Sequence, residues 1–339
     1  MIMSNHPENP PGRSVSVIIP AHNEQEFISG CIASVVNCGH PRGRLEILVV
    51  DHSSTDATKA LANRAGATVL QLKGGRIGAV RNTGLQAARG EFVPFVDGDC
   101  LVPANWLQSA ILILESDSSI GAVGGPCLSP KTGTWVERSL APSHVRPGIV
   151  KPAKTLATSS FIARTTLLRE IGQFDESVIS GEDDDISNRI RQRGLALAWA
   201  SDCHIIHHGY PRTLWKVVRK EIWHGSNHID VRSGLDVTLA LAMLFLLTSA
   251  GVLISLPIFI FKPSTTTLDA LALNALLQFM PPLLYALKRL KQSPRDWPLA
   301  LGFLLVGYAY FLGHSLGVLA NIWRRVSSMS GFLSTSKDA

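Results

Sequence analysis

Two short acidic strings stand out among the 339 residues, Asp97-Gly98-Asp99 and Glu182-Asp183-Asp184-Asp185. In the first, two carboxylates share one tight turn, and the glycine between them lets a ligand approach the backbone closely. Hard oxygens in such a pair suit Mg²⁺ or Mn²⁺, and a cation held there would neutralise a diphosphate. An ordinary surface turn carries the same pattern. The second string opens a stretch in which Ile186 and Ile190 share a helical face and Gly194 marks the end. Acids at that position are favoured by the helix dipole, with Asp185 and Arg189 spaced as an i, i+4 pair. His204, His207 and His208 follow, but no His-Glu-x-x-His string occurs, so their spacing does not call for zinc.

These groups need a scaffold, and the first hundred residues supply an alternation of strands and helices. Val15 to Pro20 is a β-branched run, after which Asn23 and Glu26 have the spacing of a helix capping box. Phe27, Ile28, Cys31, Ile32, Val35 and Val36 recur at helical spacing. The unit repeats with a strand over Leu45 to Val50, a turn over Asp51 to Thr55, and a helix from about Asp56 to Gly66. A strand over Ala67 to Leu72, a helix over Arg76 to Arg89 and a strand over Glu91 to Val96 complete the series. Such alternation predicts an α/β fold, a mostly parallel sheet with helices on both faces. Ligands of open sheets bind beyond the carboxyl ends of the strands, where Asn23, Glu24, Asp51, Asp97 and Asp99 all fall. No Gly-x-Gly-x-x-Gly follows any strand and no P-loop lysine is present, which argues against dinucleotide and NTPase chemistry.

The combined pattern resembles the family 2 glycosyltransferases of the GT-A fold. The matching stretches are Val17 to Glu24, Val49 to Asp56, Gly74-Gly75 through Arg81-Asn82-Thr83-Gly84, Asp97-Gly98-Asp99, and Gly181-Glu182-Asp183. By that resemblance Pro20, Ala21, Asn23 and Glu24 line the nucleotide pocket, Asp51 contacts the base, and Arg81 shapes the donor site. Asp97 faces the ribose and Asp99 the metal, with His207 as an additional metal ligand. Asp183 is the base that deprotonates the acceptor hydroxyl, and Glu182, Ser160 and Phe174 lie on the acceptor side. Phe174 reads equally as plain core. The family usually carries a second Asp where this chain has His52, which leaves a UDP-sugar only as the default donor.

The implied reaction is a single displacement at the anomeric carbon with inversion, needing a divalent metal (Mg²⁺ or Mn²⁺), a nucleotide-sugar donor and an acceptor glycan, lipid-linked or small. The Gln-x-x-Arg-Trp string of processive relatives does not follow Asp183, so one sugar per binding event is expected. Two other readings are a catalytically degenerate nucleotide-binding membrane protein and a sugar nucleotidyltransferase. The first should have lost Asp99 or Asp183. The second should carry a glycine-rich phosphate loop where Ala21-His22-Asn23-Glu24 stands.

Composition places this chemistry at a membrane. Leu235 to Phe261, Leu268 to Leu287 and Trp297 to Trp323 are each apolar and long enough to cross about 30 Å of hydrocarbon. The net charge of +6 concentrates around those spans, a placement that fits a lipid surface rather than nucleic acid. Leu214 to Trp223 has the pattern of an interfacial helix, or of one packed on the catalytic part. Five scattered cysteines suggest buried reduced thiols. The expected organisation is a disordered leader over 1–13 without a signal-peptide core, a GT-A domain over 14–232 (donor half 14–110, acceptor half 111–232), a transmembrane region of about three helices over 233–325, and a tail over 326–339. A multi-pass protein, of a bacterial inner membrane, with a cytoplasmic catalytic domain is the corresponding location. Lys288, Arg289, Lys291 and Arg295 put the loop after the second span inside, whereas Arg324 and Arg325 leave open whether the third span crosses or lies at the interface.

Overall fold

The computed structural model describes residues 13–228, 237–292 and 294–335. The expected leader except for Arg13, the boundary near Arg232 and the last residues of the expected tail lie outside the described residues. In chain order the regular elements begin with β1 (Val15–Ala21), α1 (Ile28–Val36), β2 (Leu45–Asp51), α2 (Thr58–Arg64), β3 (Thr68–Gln71), α3 (Ile77–Ala87) and β4 (Phe92–Phe95). Next come β5 (Cys100–Leu101), α4 (Trp106–Ser116), β6 (Ile120–Gly124), β7 (Cys127–Leu128), α5 (Trp135–Leu140), β8 (Val150–Ala153), β9 (Phe161–Arg164), α6 (Thr165–Glu170), α7 (Glu182–Gln192), β10 (Ala196–Ala200) and β11 (Ile205–His207). Four long helices follow, α8 (Leu214–His228), α9 (Val237–Phe261), α10 (Thr265–Gln292) and α11 (Ala300–Thr335). The chain forms two compact units, residues up to 130 with 143–209, and residues 131–142 with 210 onward.

In the first unit an eight-stranded sheet has the order β3-β2-β1-β4-β9-β6-β10-β8. Strands β3, β2, β1 and β4 are parallel, as the alternating pattern predicts. Beyond β4 the sheet is mixed, because β9 runs antiparallel to both of its neighbours, β4 and β6. A three-stranded sheet, β5-β11-β7, stands at the site edge.

Strand periodicity divides the core in two. Val15, Val17 and Ile19 of β1 point to one face, where Ile28, Cys31, Ile32 and Val35 of α1 and Trp106 and Ile111 of α4 cover them. Ile18 points to the other, with Leu48, Val50, Val80 and Leu85. Gly84 is there because α3 lies directly on β1: a β-carbon at this position would come within 2.5 Å of the Ile18 side chain. The capping box expected at Asn23 and Glu26 does not form. Helix α1 begins only after Phe27, which makes no side-chain cap. The Asn23 side-chain Oδ1 instead accepts from the Thr55 N–H at 2.9 Å and hydroxyl at 3.3 Å, joining the loops after β1 and β2.

Among the described residues of the second unit, three helices are long and apolar enough to cross a membrane, Val237–Phe261, Thr265–Gln292 and Trp297–Arg324. Val136 of α5, Val217 and Val218 of α8, and Val306 and Ala309 of α11 form one of its cores.

Candidate active site

Three parallel strands end at one edge, and their loops enclose a cleft of about 330 Å³. Pro20, Ala21, Glu24, Arg81, Asp97 and Asp99 line it, six of the expected donor-site residues. Asn23 braces the rim through its bonds to Thr55. Asp51 closes β2 with only 2% exposure, and its Oδ1 is buried with no hydrogen-bond partner among the described residues. A buried carboxylate oxygen left unmatched is costly, and an incoming N–H donor would relieve it.

Two histidines that sequence reasoning did not assign, His22 and His52, also line the cleft. His22 Nδ1 lies 2.6 Å from the His52 carbonyl and its Nε2 lies 3.2 Å from the Asn23 amide nitrogen. A proton on Nδ1 and an accepting Nε2 satisfy both. His52 Nε2 lies 3.0 Å from the Gly74 carbonyl, which makes that nitrogen the donor. The signal for His22 was its position between Ala21 and Asn23, in the motif itself.

Arg81 is the centre of the polar network. Helix α3 delivers it into the cleft at 3% exposure, where one amino group donates to Glu182 at 2.7 Å and the other to Asp97 at 3.4 Å. The guanidinium also lies 5.7 Å above the Phe174 ring. Adjacent Asn82 holds the loop after α6, donating to the Phe174 carbonyl and to Glu176, both at 2.9 Å, while the Phe174 N–H donates back at 2.9 Å. That clamp role of Asn82 was not read from the sequence.

The acids crowd one another. Burial, then Asp99 and Asp97, push the Glu24 carboxyl up to about 7. Partial burial raises Asp97, an effect opposed by Arg81 and reinforced by Asp99. At the start of α7, burial and the neighbouring Glu182 and Asp184 push Asp183 up to about 6, although the Asp184 N–H donates to it at 3.0 Å. A carboxyl in that range sits near working pH, where a general base is most effective.

Asp99, Cys100 and His207 bring one potential ligand atom each within 4.8 Å of the others. Antiparallel pairing of β5 with β11 sets His207 beside Cys100, and His207 Nε2 lies 3.7 Å from Asp99 Oδ1. Burial pushes the Cys100 thiol well up, so it stays protonated and faces Asp99 Oδ1 at 3.4 Å as a donor. The set that remains, a carboxylate and an imidazole, fits a hard or borderline divalent cation. A β-carbon on Gly209 would come within 1.9 Å of Asp99 Oδ2, so a larger residue there would displace that carboxylate.

Two expected acceptor-side residues turn inward. Ser160 is fully buried, and its hydroxyl donates to the Cys203 carbonyl at 2.6 Å and accepts from the Gly125 N–H at 3.2 Å. Both its bonding capacities are used by the backbone. Phe174, 2% exposed, packs edge-on against Phe95 at 5.3 Å between ring centres. It is a core residue that backs Arg81. All five cysteines are free thiols.

Comparison with known proteins accords with this geometry. The Glycosyl transferase family 2 profile matches residues 16–169. The chain is 30% identical over 227 residues to the glycosyltransferase AglE of Haloferax volcanii, covering 64% of this chain and 73% of that one. It is 26% identical over 268 residues to the pre-mycofactocin glycosyltransferase of Mycobacterium tuberculosis, covering 73% of this chain and 55%, about half, of that relative. Among solved structures, the mannosyltransferase PcManGT from Pyrobaculum calidifontis, in complex with GDP-Man and Mn²⁺, shares the fold with a TM-score of 0.58 at 21% identity, over 94% of this chain and 89% of that one. The chain therefore belongs to the family 2 glycosyltransferases, enzymes that transfer a sugar from a nucleotide-sugar, and it has their GT-A fold.

Proposed function

We propose that this enzyme transfers one sugar, with inversion, from a nucleoside-diphosphate sugar to an acceptor hydroxyl at the cytoplasmic face of a membrane, in the synthesis of a glycolipid, polysaccharide or other envelope glycan. The observation that carries the reading is Arg81, which binds Asp97 of the donor edge and Glu182 of the base helix at once. Asp97 and Glu182, the neighbour of Asp183 in the chain, are thereby held by one guanidinium.

In this reading Asp51 accepts from the base through its unmatched oxygen, with His52 beside it where relatives place an acid. Pro20 and Ala21 form the wall of the nucleotide pocket, and Asp97 takes the ribose. Asp99, with His207, would hold Mg²⁺ or Mn²⁺, a cation that when bound supplies positive charge against the departing diphosphate. Asp183 takes the proton from the acceptor hydroxyl as that oxygen attacks the anomeric carbon from the side opposite the leaving group. Arg81 keeps Glu182 compensated, so the start of α7 presents Asp183 to the cleft. Catalysis then rests on positioning and on fixed charge. The candidate spans α9 and α10 support action at a membrane, with Lys288, Arg289 and Lys291 at the cytoplasmic end of α10.

Calorimetry of the detergent-solubilised chain with a panel of nucleotide sugars tests the proposal. One donor should bind in a manner strengthened by Mn²⁺, and Asp99→Ala should remove the Mn²⁺ dependence. Affinity that ignores Mn²⁺ in the wild type, or Mn²⁺ dependence that survives in Asp99→Ala, overturns the metal assignment.

A further inference from the structure

The apolar stretch Trp297–Arg324 is long enough to be a third crossing, yet 56% of its most apolar part is buried, against 17% in each of α9 and α10. Helix α8 supplies the largest part of that cover. A β-carbon on Gly313 would come within 2.4 Å of the Val218 carbonyl oxygen, one on Gly317 within 2.2 Å of the Ile222 oxygen, and one on Gly225 within 2.2 Å of the His314 oxygen. Small residues four apart let the two backbones touch. The contacts advance in step, Val218 with Gly313 and Ile222 with Gly317, so the helices run side by side in the same direction. Beyond them Asn321 and Arg324 donate to the Ser226 carbonyl at 2.6 and 3.0 Å. Between the helices, buried His314 Nδ1 lies 3.3 Å from buried Glu221.

The other face of α8 is charged. Trp215 and Trp223 are 70% and 52% exposed, and Lys216, Arg219 and Lys220 are exposed around them. Glu221, the one acid of this helix, points inward to His314. Were α11 to cross the bilayer, α8 would travel with it and carry three cations into hydrocarbon, where such groups are strongly disfavoured.

Contacts of α11 with the α9/α10 hairpin lie in one half of that hairpin, the deepest at the middle of α10, where Gln278 donates to the Tyr308 hydroxyl at 3.2 Å. Ser315 donates to the Ala242 carbonyl at 2.8 Å, Phe245 meets Tyr308 and Phe311, Tyr285 stacks on Tyr310, and Arg289 lies 5.8 Å from the Phe303 ring centre. Ala242 and Phe245 are in the first turns of α9, and Tyr285 and Arg289 in the last turns of α10. Along its outer side α11 exposes Leu301, Leu305, Leu312, Leu316, Leu319 and Trp323.

We infer that α8 and α11 form a two-helix layer lying on an anionic lipid surface, with only α9 and α10 crossing the bilayer. The inference rests on the membrane reading proposed above. The leucine stripe of α11 enters the acyl boundary, while the tryptophans of α8 sit at headgroup depth and its cations meet lipid phosphates. Two crossings return Arg324 and Arg325 to the side of Lys288, Arg289 and Lys291, which satisfies the positive-inside bias that three crossings violate.

Two measurements on the full chain test this. A reporter fused after Ala339 should show cytoplasmic activity, and one inserted after Lys262 should show activity on the opposite side. In proteoliposomes, adding phosphatidylglycerol to phosphatidylcholine should stimulate transfer by the wild type, and the triple variant Lys216→Gln, Arg219→Gln, Lys220→Gln should lose most of that stimulation while retaining its rate in phosphatidylcholine alone. A chain retained in membranes after an alkaline wash, with Ala339 on the Lys262 side, overturns the two-crossing layer and leaves the membrane reading standing. Equal stimulation of variant and wild type overturns the anionic-lipid contact. A chain released by the wash overturns both readings.

Discussion

In the parallel half of the sheet, β1, β2 and β4 all release the chain at the same edge, and Glu24, Asp51, Asp97 and Asp99 arrive there together. In the mixed half, β9 runs against both neighbours, and the residues around it, Ser160 and Phe174, are absorbed into the interior. The difference is one of direction. A loop at the carboxyl edge of a parallel set faces the same cleft as its neighbours, whereas an antiparallel strand brings the start of its chain to that edge and uses it for bracing. Helix α7, which starts after Gly181 at a φ of 88°, brings Glu182 back to the donor edge, 2.7 Å from Arg81.

That contrast is most sharply broken or confirmed at α7. Asp183→Asn should lower turnover by roughly 10² to 10⁴, the usual contribution of a general base, while donor affinity measured by calorimetry stays within a factor of about two. A variant keeping more than about a tenth of wild-type turnover would remove α7 from the chemistry.

Ser160→Ala should behave in the opposite way. Loss of the hydroxyl leaves the Gly125 N–H and the Cys203 carbonyl short of a buried partner, a cost of about 2 kcal/mol. The melting midpoint of the solubilised chain should fall by several degrees, and turnover per folded molecule should not change. A fall in turnover at constant stability would return Ser160 to the acceptor site.

The smallest effect expected is on pH. Because burial and neighbouring acids raise Asp183 to about 6, its base form is depleted as pH falls through that value. At saturating donor, turnover should drop about tenfold per pH unit below the transition. A profile flat down to pH 5 would show that this carboxylate is not the proton acceptor.

The donor half was legible in the sequence because local signals decided it. Val15 to Ala21 and Leu45 to Asp51 are buried apolar strands bounded by turn residues, and their loops follow directly. The acceptor half was less so. What fixes Ser160 are backbone groups 35 and 43 residues away, and no nearby residue announces them. Asn23 shows the same limit at short range: its side chain had two plausible uses, a helix cap or a bridge to Thr55, and the choice depended on β1 and β2 lying side by side. The third apolar stretch looked like a span by length alone. Its glycines, read as ordinary members of an apolar run, are what seat α8 against it.

The position of β9 has a consequence for how the protein is made. Strands β1 to β4 pair among themselves from nearby sequence, but the free side of β4 waits for Phe161–Arg164, and until that segment emerges from the ribosome β4 is an unprotected edge. Phe92, Val93 and Phe95 would make it an attractive template for a neighbouring nascent chain. Pro94 sits in the middle of that strand, opposite Ile162 in the finished sheet, but Phe92 and Val96 turn their N–H groups to Ser14 and Ile18, so the N–H that Pro94 lacks belongs to the β1 side and the waiting edge keeps the groups of Val93 and Phe95. The proline interrupts the ladder to β1 only, and the edge is closed by the arrival of Phe161–Arg164.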